Sequence, residues 1–241
     1  MSSPKGNPYL LNDDPETVPD AVSPVIDVPE DGKRRVVILT PTRDEMHAKY
    51  VASLVNMIQM THSVWHDRLE GICYASFSSS VLPSARYKLG LKAFEVKATH
   101  LLWIDSDMSF PPDMLLRFLD RDELIVASNA VARMPPYHFC AQSEHGVPMP
   151  TTHASTGLEK AHRMGFGIVW MSIEVLQKME PPWFSVDWVP ELEKFRGEDI
   201  SFFARAEEAG FDFYVDHDLT KEVEHWGSFG FSPLMHDLQG V

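Results

Sequence analysis

Residues 99–112 read Thr99-His100-Leu101-Leu102-Trp103-Ile104-Asp105-Ser106-Asp107-Met108-Ser109-Phe110-Pro111-Pro112. The run His100–Ile104 is short, continuous and apolar, the pattern of a strand buried on both faces of a parallel sheet. It stops abruptly at two aspartates separated by one residue. Two prolines follow, and proline is tolerated in the first turn of a helix, so a helix is expected from there. A buried strand, a polar break and a helix make the repeating unit of an α/β sheet.

The same unit recurs on either side. Upstream, residues 35–40 (RVVILT) form a second apolar run. A helix is expected over 47–60, with apolar residues at Val51, Leu54, Val55 and Ile58. A strand then suits 71–77 and a helix 84–96. Downstream, 124–128 reads as a strand, and 130–159 is a polar, proline-containing stretch with His138, His145 and His153, expected as loops. A strand is expected at 167–171, a helix at 173–179, a helix at 198–209 stopped by Gly210, and a final strand at 211–215. The alternation predicts an α/β fold with a mainly parallel, doubly wound sheet flanked by helices, and irregular loops in the second half.

Residues 1–32 differ in character: they are rich in Pro, Asp and Glu and hold seven acids against one Lys. They are expected to be a disordered N-terminal arm, with residues 33–241 a single domain. The chain carries a net charge of −14, which disfavours nonspecific adhesion to nucleic acid or anionic membrane. No apolar run reaches membrane-spanning length and the start lacks a secretory pattern, so no membrane association and a cytoplasmic location are expected. Cys73 and Cys140 are expected as two reduced thiols.

Ligands of such sheets bind outside the carboxyl ends of the strands. Asp105 and Asp107 fall at such an end, and in extended backbone residues two apart point to the same side. Two carboxylates on one side suit a hard divalent cation, Mn2+ or Mg2+. Competing chemistries lack their signatures. Gly165 and Gly167 are followed by Trp170 at the place of a third glycine, so no dinucleotide fingerprint is present, and there is no P-loop. His62 and His66 lie one helical turn apart, but Ser63 stands where metalloprotease helices carry Glu, and both read as surface residues.

The segment 84–112, with residues 39–44 (LTPTRD), 164–171 (MGFGIVWM), 197–203 (GEDISFF) and 225–227 (HWG), resembles the GT-A glycosyltransferases, in particular small phage-type members of the family-2-like group. These blocks stand in family order over residues 35 to about 230. The resemblance implies transfer of a sugar from a nucleotide-diphosphate sugar, a UDP-sugar foremost. Thr40, Pro41 and Thr42 would line the base and ribose, Arg86 would lie against the base or diphosphate, and Ser106 would belong to the same donor site. Asp105 would hold ribose or metal, with Asp107 and His225 as metal ligands. Gly165 and Gly167 would let backbone approach the sugar. Asp199 would act as base toward the acceptor hydroxyl, with Glu198 beside it. Trp183, Trp188 and Trp226 are candidates to stack on a sugar or base, with burial in the core as the alternative. A hydroxymethylated pyrimidine in phage DNA, a glycan and a small molecule all stand as acceptors, and a noncatalytic sugar-nucleotide or carbohydrate binder is the alternative from another class.

Overall fold

The computed structural model describes residues 26, 32–64, 67–133, 137–227 and 230–231. The expected arm therefore lies outside the described residues except at Ile26 and Gly32, as does His66. Ile26 is 8% exposed and belongs to the main apolar cluster, so at that point the segment contributes to the core.

In chain order the first elements are β1 (Arg34–Thr42), α1 (Ala48–Val64), β2 (Leu69–Ser78), α2 (Leu82–Glu95) and β3 (His100–Ile104). Next come β4 (Met108–Ser109), α3 (Met114–Leu119), β5 (Ile125–Ala127), β6 (Leu158–Ala161), β7 (Ile168–Ser172) and α4 (Ile173–Lys178). After β8 (Asp187–Val189), a 3-10 turn and β9 (Lys194–Arg196) come α5 (Glu198–Glu208), β10 (Phe213–Asp216), α6 (His217–Thr220), β11 (Glu224–Trp226) and β12 (Gly230–Phe231).

Seven strands form one sheet in the order β2-β1-β3-β7-β5-β10-β6. Strands β2, β1, β3, β5 and β10 run in one direction, whereas β7 and β6 run against their neighbours. Alternate residues feed opposite faces. Val37, Leu39, Leu101 and Trp103 pack toward α2, α4 and α5, and Val36, Ile38, Leu102 and Ile104 toward α1 and α3. Both faces are covered, which is why these strands read as unbroken apolar runs. The strand order reverses around β1, with β2 on one side and β3 on the other. The carboxyl ends of β1 and β3 therefore flank a switch point, where such sheets hold ligands.

Several expectations need correction. In α1 the buried residues are Tyr50, Met57 and Thr61, while Val51 and Val55 are 42% and 47% exposed. Two apolar stripes interleave on this helix, and the larger Tyr50 and Met57 side chains take the core. Pro111 begins a turn, its carbonyl accepting from Met114 N, and α3 starts only at Met114. Strand β10 is not the last: β11 and β12 follow, and β11 pairs with both β12 and β4 in a small separate sheet. No described helix is long and apolar enough to cross a membrane.

Candidate active site

A cleft of about 430 Å3 opens at the carboxyl ends of β1, β2 and β3. Pro41, Thr42, Arg43 and Glu45 line it from β1 and its loop, Ser79 from just after β2, Leu82 from the start of α2, and Asp105, Ser106 and Asp107 from the end of β3. Arg133 and His225 close the remaining side. The structure thus brings Pro41, Thr42, Asp105, Ser106, Asp107 and His225 together, although His225 is more than a hundred residues from the aspartates in sequence. The bridge is the small sheet: His225 pairs with Met108 across β11 and β4, and Trp226 N donates to the Asp107 carbonyl at 2.7 Å.

Each acid has its own cationic neighbour. Asp105 accepts from Arg86 Nη2 at 3.0 and 3.3 Å. Burial nevertheless pushes the Asp105 carboxyl up to about 6, opposed by Arg86 and reinforced by Asp107. Asp107 Oδ2 lies 2.7 Å from Arg133 Nη1 and 3.5 Å from His225 Nε2. Burial raises this carboxyl, but His225 and Arg133 more than offset it and leave it below the usual range. His225 Nδ1 is 3.1 Å from the Val131 carbonyl, which can only accept, so Nδ1 carries a proton and Nε2 is turned toward Asp107.

That arrangement fits a divalent cation. Asp107 Oδ2 and His225 Nε2 face each other at 3.5 Å, and a backbone bond at the other ring nitrogen, such as that to Val131, is what orients ligating histidines. Among the described residues no group of three or more His, Cys, Asp or Glu side chains is placed to hold a metal. Asp107 and His225 would supply two ligands and leave the rest to phosphate oxygens and water, as Mg2+ and Mn2+ accept.

Other expected site residues lie elsewhere. Thr40 is fully buried beneath the cleft, its hydroxyl 2.5 Å from the Tyr50 hydroxyl. Arg86 does not line the cleft. It is 2% exposed, its guanidinium carbon 4.5 Å from the Phe166 ring centroid, and its Nε faces Glu198 at 3.6 Å. Its length lets it span from α2 to the head of α5, where it ties Asp105 to Glu198. Gly165 and Gly167 serve packing. A Cβ at Gly165 would come within 3.1 Å of Cys140 Cβ, and one at Gly167 within 3.3 Å of Met108 Sδ. Asp199, at the start of α5, lies near Gly165 and Cys140 and is not among the residues that line the cleft. Burial and the neighbouring Glu198 push its carboxyl up, against the Ile200 amide and Arg86. The same surroundings raise the Cys140 thiol to about 11.

Of the tryptophans, Trp183 is core. Trp188 is exposed on the β8–β9 hairpin against Phe195, and Trp226 stacks on His47 at 5.0 Å. Arg133 was absent from the sequence expectations. It is a lone Arg in an irregular stretch, with no periodicity or motif to mark it.

The sheet order, the antiparallel β7 and the cleft at the β1–β3 switch point define a GT-A-like, Rossmann-type α/β fold. No protein-family model matches the chain, and no curated protein matches its sequence. Among solved structures, A197 from STIV is similar over 83% of this chain and 90% of its own, at 14% identity and a TM-score of 0.56. A galactosyltransferase, LgtC, in complex with donor and acceptor sugar analogs matches over 73% and 70%, at 12% identity and a TM-score of 0.40. A 4-diphosphocytidyl-2C-methyl-D-erythritol synthase from Anaerococcus prevotii matches over 77% and 89%, at 13% identity and a TM-score of 0.42. The likeness to A197 is one of fold.

Proposed function

We propose that this chain is a metal-dependent glycosyltransferase that moves a sugar from a nucleotide-diphosphate sugar, UDP-linked foremost, onto an acceptor hydroxyl. The observation that carries the reading is the convergence of Asp105, Ser106, Asp107 and His225 with Pro41 and Thr42 in one cleft at the sheet's switch point. Pro41 and Thr42 would border the base and ribose, with Thr40 supporting them from beneath. Asp107 and His225 would hold Mn2+ or Mg2+, and Asp105, poised by Arg86, would face ribose or the ion. The bound ion supplies neutralisation of the charge that develops on the departing diphosphate. Asp199 would take the proton of the acceptor hydroxyl, its half-buried carboxyl being a stronger base than an exposed one. Glu198 would keep Arg86 in place between the two halves of the site.

Both acceptor classes follow from the resemblance: a hydroxymethylated pyrimidine in phage DNA, which would have to be flipped out of its helix, and a glycan or small molecule. Calorimetry with UDP and GDP, with and without Mn2+, tests the donor site. Binding that needs metal supports it, and no binding of either nucleotide removes it. Slow release of free sugar from a UDP-sugar without acceptor then separates an enzyme from a binder, which would release none.

A further inference from the structure

We propose that Arg133 is a stand-in cation for Asp107. It would hold the carboxylate until a divalent ion arrives and then pair with the donor's diphosphate. The inference rests on the donor-site reading above and adds a residue and an order of events to it.

One oxygen carries the argument. Asp107 Oδ2 is shared by Arg133 Nη1 at 2.7 Å and His225 Nε2 at 3.5 Å. An ion between the imidazole and that oxygen would sit against a guanidinium of like charge, and the two cations would repel. Ion and guanidinium therefore compete for one carboxylate oxygen. Arg133 can yield, because its side chain is 43% exposed and, among the described residues, its other hydrogen bond runs from Nη1 to the Trp226 carbonyl at 3.0 Å.

The backbone just before Arg133 is tied down, so the hand-over would fall to its side chain. Val131 bridges to Phe139, Ala132 N donates to the His138 carbonyl, and the Val131 carbonyl orients His225. One short segment thus aims the imidazole and supplies the competing cation. Arg133 lines the same cleft as Asp105, Ser106 and Asp107, so a diphosphate bound there lies within its reach. A planar guanidinium suits two phosphate oxygens as well as it suits a carboxylate.

The test is calorimetric titration of Mn2+ alone, then of UDP at saturating Mn2+, into the full chain and its Arg133→Ala and Arg133→Lys variants, with far-UV circular dichroism to check folding. Removing the competitor should tighten Mn2+ alone by about tenfold and weaken UDP with Mn2+ by about tenfold, within the usual range of coupling between two sites. Arg133→Lys, which keeps a positive charge, should leave Mn2+ binding close to that of the parent chain. Unchanged or weaker Mn2+ binding by a folded Arg133→Ala variant overturns the proposal while the donor site stands. Tighter Mn2+ with unchanged UDP overturns the hand-over to diphosphate. If neither the parent chain nor the variants bind Mn2+, with or without UDP, the metal-dependent reading fails and this inference with it.

Discussion

Arg86 Nη2 reaches both carboxylate oxygens of Asp105, at 3.0 and 3.3 Å, while its Nε faces Glu198 at 3.6 Å. One buried guanidinium therefore joins the end of β3, which lines the cleft, to the first turn of α5, which carries Asp199. The helix start already tolerates acidic residues because its amides are unpaired, but Glu198 and Asp105 both lean on the same cation. In the proposed site, donor side and acceptor side would be linked through Arg86, which is not among the residues that line the cleft.

Removing that cation should be costly. Arg86→Met keeps most of the volume but leaves Asp105 and Glu198 facing each other without a counter-charge. Breaking a buried pair from one side typically costs about 3 kcal/mol or more. Urea unfolding should show a loss of that order, and Arg86→Lys, with a shorter and non-planar head, should recover part of it. A loss within about 0.5 kcal/mol, the range of an ordinary surface change, would mean that the ion pair does not hold the site together.

Asp107→Ala and His225→Ala should each abolish metal-dependent UDP binding, a drop of at least about a hundredfold given how strongly even supporting residues tune metal affinity. Both variants should unfold close to the parent chain, because each side chain is partly exposed. Calorimetry with UDP and Mn2+ decides the matter. Full metal-dependent binding by Asp107→Ala would remove Asp107 from the site.

The pH dependence of transfer should report Asp199. Its folded-state carboxyl is raised, so the basic form is lost as pH falls through a value above the ordinary carboxylate range. The acid limb of kcat/KM should lie correspondingly high, and Asp199→Asn should lose transfer while still binding UDP with Mn2+. Stability carries the opposite sign. A carboxyl that holds its proton more tightly when folded destabilises the native state increasingly as pH rises from the unfolded value through the folded one. Asp199→Asn should therefore be more stable than the parent chain at pH 7 and lose that advantage in acid. An unfolding midpoint for Asp199→Asn that is lower at pH 7 would contradict the burial-driven shift.

The strands that build the sheet were legible in the sequence because burial on both faces leaves uninterrupted runs, as in residues 35–40 and 100–104. The direction of β7 was not, since an apolar run such as Ile168–Met171 reads alike whichever way it is inserted, and only pairing with β3 and β5 fixes it. The short strands β4, β8, β9, β11 and β12 are too brief for their periodicity to show. In the site, carboxylates at a strand end were readable, and so was His225 through the family resemblance. What escaped was the depth of each residue. Thr40 and Arg86 belong to the matching blocks yet lie beneath the cleft, because strand alternation turns Thr40 inward and the long Arg86 side chain finds its partners below the surface. Arg133 escaped for a different reason: its role depends on an approach to Asp107 that no local pattern encodes.

Gly90 offers a test of packing against propensity. It lies in α2, where replacing glycine by alanine on an exposed helix surface gains roughly 1 kcal/mol. Here a Cβ would stand 2.9 Å from Trp183 Cζ3 and 3.1 Å from Cε3, and Leu176 Cδ1 is 3.5 Å away. Trp183 cannot easily withdraw: it is buried, stacks on Phe94 at 5.6 Å, and its indole N–H donates to the Met179 carbonyl at 3.0 Å. Forcing a methyl into such a core costs typically about 1–3 kcal/mol, enough to cancel or exceed the helical gain. Gly90→Ala should accordingly lower the urea midpoint and alter tryptophan fluorescence as Trp183 shifts. A Trp183→Phe background, which removes the crowding ring, should turn the same Gly90→Ala change into a gain. If Gly90→Ala stabilises the chain with Trp183 in place, the close approach of α2 to Trp183 is looser than the geometry states, and α2 rests on its own propensity instead.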